Sequence, residues 1–181
     1  MTARIAVFGL IAFVTLLLQA VVAPIIAVAG WPPDLVLAVV VAVAVVEGPA
    51  TGARFGFVAG MGVDLLSGGA HLVGLTALVL LLVGEGVGRV RPYLGGTQQA
   101  AALVLGAAAG IVAFGLFGGM SLLLDIRRFS AGFIIEGLVA NALWAAVATP
   151  VVTLPVRAIA RRFSQGEPSG GSGPIVARRG W

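Results

Sequence analysis

Apolar runs separated by short clusters of glycine, proline and charge recur along the whole chain. The first, residues 5–23, contains no charged side chain. Such runs cannot all hide inside one small core and still leave a polar exterior. The composition agrees: 60% of the 181 residues are hydrophobic and 10% are charged, whereas a soluble domain carries about 25% charge. A soluble globular domain, a disordered chain and a nucleic-acid-binding domain are thereby excluded. A spanning helix needs about 20 mostly apolar residues, so the expected fold class is an all-α polytopic membrane protein.

Turn residues divide the chain into six segments. Residues 5–23 form the first, followed by a non-helical turn with Pro24, Gly30, Trp31, Pro32 and Pro33. The run has no small-residue cleavage site and is too long for a signal peptide. Residues 34–46, 51–66, 72–90, 98–124 and 131–154 form the other five. Pro150 and Pro155 fall near the end of the sixth. A membrane domain over residues 1–163 and a disordered cytoplasmic tail over 164–181 follow, the tail carrying a Gly/Ser/Pro-rich stretch. The valine-rich second segment also suits a buried strand. Lipid admits only helices and closed barrels, and the alternation of a barrel is missing. Segments two and three are short for a full span. Tilt, bilayer thinning or burial against longer neighbours would accommodate them.

All 11 basic residues are arginine. With six crossings, Arg4, Arg54, Arg89, Arg91, Arg157, Arg161, Arg162, Arg178 and Arg179 fall on one side, against Arg127 and Arg128, next to Asp125, on the other. The positive-inside rule then predicts both termini in the cytoplasm. Trp31 is expected at the outer interface.

Residues able to do chemistry are few. Cysteine is absent and His71 is the single histidine, so disulfides and multi-histidine metal sites are excluded and no cofactor is expected. No serine has a histidine partner in a recognisable triad, and neither a phosphate loop ending in lysine nor HExxH occurs. The chain is therefore expected not to be an enzyme. Gly52, Gly56, Gly60 and Asp64 recur at four-residue spacing and share one helix face. Close helix packing and a ligand groove are both open readings of this face. Asp64 is either solvated at the outer end or an intramembrane functional carboxylate. Glu85 and Arg89 have the favourable i,i+4 order for an ion pair, with a transport site as the alternative. Gly84, Gly86 and Gly88 keep the same stretch thin. Glu136 is expected to pair locally with Arg127 and Arg128, and Asn141 to bond across helices. Pro33 suits a first helical position and Asp34 the positive end of the second helix. Val41 is expected to face lipid.

These landmarks, in order, resemble the rod shape-determining membrane protein family MreD. They are Leu16-Leu17-Leu18-Gln19, Pro24, Pro33-Asp34-Leu35, Gly52, Gly56-Phe57, Gly60-Met61, Asp64-Leu65-Leu66, Gly74-Leu75, Gly84, Gly88, Asn141, Pro150 and Arg157. The resemblance covers residues 10–162. It implies a non-enzymatic subunit of the bacterial cell-elongation machinery. The implied partners are an MreC-like bitopic protein, a RodA-like glycan polymerase with its transpeptidase, and the actin-like MreB. It also implies a six-helix fold similar to the substrate-binding subunits of energy-coupling-factor vitamin transporters, and so an alternative function in small-molecule uptake. A channel would need a polar pore-lining stripe that the sequence lacks. The glycine faces are expected to accept a partner's transmembrane helix, and the basic rim anionic lipid headgroups.

Overall fold

The computed structural model describes residues 2–66, 73–123 and 131–164. These form α1 (Thr2–Val21), α2 (Leu35–Glu47), α3 (Pro49–Leu66), α4 (Leu75–Val90), α5 (Gln98–Leu123) and α6 (Ala131–Ser164), with a 3₁₀ turn at Arg91–Tyr93. No β-strand occurs among the described residues. The expectations for His71, Asp125, Arg127, Arg128, Arg178, Arg179 and the tail beyond residue 164 lie outside them.

Consecutive helices run antiparallel. The end of α1 meets the start of α2 through Gln19, and the end of α3 meets the start of α4 through Asp64. Gly88 near the end of α4 lies against Pro49 at the start of α3. One end of the bundle therefore collects Arg54, Arg89, Arg91, Arg157, Arg161 and Arg162, while Asp34 and Asp64 lie at the other.

Helix α2 is the centre of the molecule. Residues 36–45 are all buried, and α2 touches each of the other five helices. A helix of 13 residues rises only about 20 Å, too little for a hydrocarbon core of about 30 Å. Of the accommodations expected for so short a segment, the structure shows burial among the other helices. This corrects the placement of Val41, which is fully buried rather than lipid-facing. Valine is equally at home against lipid and against another helix, so residue type alone could not separate the two environments. At the far end of α2, Gly48 adopts φ +90°, a conformation costly for any residue with a Cβ. That lets the chain reverse directly into Pro49, whose missing N–H costs nothing at a first helical position.

Helix α6 runs ten residues beyond its expected end, through Pro150 and Pro155. Each proline removes one helical hydrogen bond, and the helix continues through both.

The exterior carries long apolar faces. Ile135, Val139, Leu143, Val147 and Val151 repeat at four-residue spacing along α6 and are all exposed, as are Leu10, Phe13, Leu17 and Val21 on α1. Among the described residues, two helices are long and apolar enough to cross a membrane: α5 over Gln98–Met120 and α6 over Gly132–Arg162.

Candidate functional site

The four-residue ladder on α3 lies directly on α4, in antiparallel register. A Cβ built on Gly52 would stand 2.6 Å from the Ala44 side chain and 2.8 Å from the Gly84 carbonyl. One on Gly56 would overlap the Leu80 carbonyl, and one on Gly60 would lie 2.5 Å from Ala77 Cα. From the other side, Gly84 abuts the backbone of Gly52, and Gly88 abuts Pro49. Contact this close is possible only without side chains on the facing surfaces. This corrects the expectation of a groove open to a partner helix: α4 of the same chain fills it. Gly86 faces open space instead.

Asp64, the last rung, is 3% exposed. Its Oδ2 accepts from the backbone N–H of Gly74 at 2.8 Å and Ala77 at 3.2 Å, and its Oδ1 from Thr76 at 3.3 Å. Gly74 precedes α4 with φ +97° and has no side chain to cap the helix. A carboxylate from α3 satisfies donors at that helix start and sits against the positive end of its dipole. Asp64 is thus neither solvated nor unengaged: it joins the hairpin at its tip.

A second polar clasp organises the start of α2. Asp34 is its N-cap, with Oδ1 accepting from Leu37 N–H at 2.8 Å. Pro33 therefore precedes the cap, two positions before Leu35, and is not itself the first helical residue; its side chain is fully buried. Gln19 on α1 holds both sides of the cap. Its Oε1 accepts from Leu35 N–H at 2.7 Å, and its Nε2 donates to the Pro33 carbonyl at 3.2 Å. The amide's role was not apparent from sequence, although it is the one amide within an otherwise charge-free run.

Helices α5 and α6 repeat the glycine design, which the sequence reading did not single out. A Cβ on Gly106 would lie 2.5 Å from the Ala145 carbonyl, and one on Gly110 would overlap the Asn141 carbonyl. The Gly106–Gly110 spacing is the signal that could have shown this. Asn141 departs from expectation: its Nδ2 donates to the Gly137 carbonyl at 3.1 Å, one turn back in the same helix. Thr149, on the same face, is fully buried with an unpartnered hydroxyl against Gly106. Glu85 and Arg89 make an ion pair at 2.8 Å, with the arginine largely in the open. At that exposure the pair contributes only about 0.3–0.5 kcal/mol. Glu136 is exposed, and the arginines expected beside it are not described.

Trp31 tethers the loop between α1 and α2 to the last two helices. Its carbonyl accepts from Trp144 Nε1 at 3.0 Å, and its ring meets Phe114 and Phe133 at centroid distances of 5.9 and 4.9 Å. No group of three or more metal-ligating side chains occurs among the described residues. Searches against protein-family models, curated proteins and solved structures return no match to this chain.

Proposed function

We propose that this chain is a six-span, non-enzymatic scaffold subunit of the bacterial cell-elongation machinery, MreD-like in sequence. In this reading it lies in the cytoplasmic membrane with both termini inside and acts in cell shape and the control of peptidoglycan synthesis. The family resemblance would give it the six-helix arrangement of the vitamin-transporter substrate-binding subunits.

The apolar exterior supports membrane insertion. The exposed stripe of α6 from Ile135 to Leu154 rises about 29 Å, close to the hydrocarbon thickness. It ends at Arg157, Arg161 and Arg162, where headgroups would begin. Tyr93, 88% exposed at the basic end, suits an interfacial aromatic.

One observation carries the choice of scaffold over carrier: both interior carboxylates and the Asn141 amide are already committed to the fold. Asp34 and Asp64 cap helices and Asn141 bonds within its own. A carrier would need several such groups converging on a pocket. With both glycine ladders closed inside the chain, a partner helix meets the outward apolar faces of α1 or α6. An MreC-like bitopic protein is the first partner. A RodA-like polymerase, its transpeptidase and MreB belong to the same assembly, anionic lipid lines the basic rim, and nucleic acid has no place.

Co-purification from mild detergent, read by mass spectrometry, tests the reading. Stoichiometric recovery of a single-span elongation protein is expected. Recovery of a transporter ATPase module instead would favour vitamin uptake.

A further inference from the structure

A cleft of about 330 Å³ opens at the basic end of the bundle, lined by Val46, Glu47, Gln98, Arg157, Ala160 and Arg161. It is built from three helices. Arg157 and Arg161 lie one turn apart on α6, so their guanidinium groups reach the same side. Gln98 is the first residue of the 26-residue α5, whose amino-terminal end adds a partial positive charge. Glu47, the last residue of α2, stands on the opposite wall. Arg89, at the same end of the bundle, is paired with Glu85. Among the described residues, neither Arg157 nor Arg161 makes such a pair.

We propose that this cleft binds the phosphate of a phosphodiester monoanion, with Arg157 and Arg161 as its anchors. Guanidinium donors match phosphate oxygens in a two-pronged geometry. Gln98 offers an amide donor from the facing helix. A phosphodiester presents two non-bridging oxygens, one for each guanidinium. The headgroup of an anionic phospholipid such as phosphatidylglycerol has this chemistry, and so does a small soluble phosphodiester. The lipid source rests on the membrane reading above; the phosphate site itself does not.

The test uses the full-length protein in detergent and follows its thermal unfolding midpoint. The probes are phosphatidylglycerol, phosphatidylcholine, and soluble glycerophosphoglycerol. A saturable rise is expected with phosphatidylglycerol and not with phosphatidylcholine, whose phosphodiester charge is cancelled by its own choline cation. In R157Q/R161Q, apparent affinity should fall about tenfold per arginine, since each charge-assisted contact supplies roughly 1.5 kcal/mol. R89Q, which removes a cation outside the cleft, should bind as wild type. R157K/R161K, which keeps charge but loses the fork, should lie between, and size-exclusion profiles establish that each variant is folded. A rise with glycerophosphoglycerol as well supports the site with the phosphodiester group itself sufficient. A rise with phosphatidylglycerol alone identifies the lipid. No rise with either phosphate probe, or an equal rise in folded R157Q/R161Q, overturns the site. Alkaline carbonate extraction of native membranes reports separately on the membrane reading, because a release of the protein would contradict that reading and leave the soluble-probe result standing.

Discussion

Replacing Asp64 isolates the contact that ties the α3–α4 hairpin together. Its two oxygens accept from three backbone N–H groups at 2.8–3.3 Å in a site 3% exposed. Asp64→Ala removes every acceptor at once. Each donor left unpaired in a buried site costs about 1–3 kcal/mol, and the lost charge at a helix start adds up to ~1 kcal/mol. Partial relaxation of the first turn of α4 recovers some of this, so a loss of about 3–5 kcal/mol is expected. Asp64→Asn keeps one oxygen, which can serve Gly74 and Ala77, and turns an amide N–H₂ towards Thr76. Its loss should be smaller, about 1–3 kcal/mol. Unfolding titrations in mixed detergent micelles, read by near-ultraviolet circular dichroism, would rank the three proteins. The expected order is wild type, then Asn, then Ala. An alanine variant as stable as wild type would refute the capping account. So would a vitamin-dependent stabilisation that disappears in Asp64→Asn, since it would make the carboxylate a ligand group.

Three further outcomes follow from the packing and charge pattern. Gly56→Leu or Gly60→Leu should prevent accumulation of folded protein, because the new side chain meets the α4 backbone; Val58→Leu, on an exposed site of the same helix, should be tolerated, as expression and size exclusion will tell. Gln19→Ala should lower stability by about 1–3 kcal/mol and Asp34→Ala by about 1 kcal/mol, measured by the same unfolding titration, and no loss in Gln19→Ala would contradict the clasp on α2. Alkaline-phosphatase fusions should be active after Trp31 and inactive after Arg162, and activity at Arg162 would overturn the six-span topology.

The number and type of helices were legible because turn residues punctuate the apolar runs. Asp34 was legible as a start signal because its neighbour Pro33 and the following valine run mark a helix boundary. What faces what was harder to read. In a membrane-like chain the core side and the lipid side of a helix are both apolar, so periodicity carries little information, and Val41 was placed on the wrong one. The glycine ladder of α3 was visible because its residues contrast with bulkier neighbours. Gly106 and Gly110 were obscured by the alanines around them. Proline at 150 and 155 reads as a terminator in water-exposed helices, and α6 continues past both. Asp64 and Gln19 act on segments 10 to 16 residues away, and their targets are backbone groups that no side-chain motif can display.

The central claim is that the chain supports cell elongation as a scaffold. Depleting it from a rod-shaped bacterium that carries it, while following cell width and nutrient requirement together, tests this most directly. Cells should round up with no new growth requirement, and recover shape when the wild-type protein is restored. Cells that keep their rod shape but acquire a vitamin requirement would contradict the account.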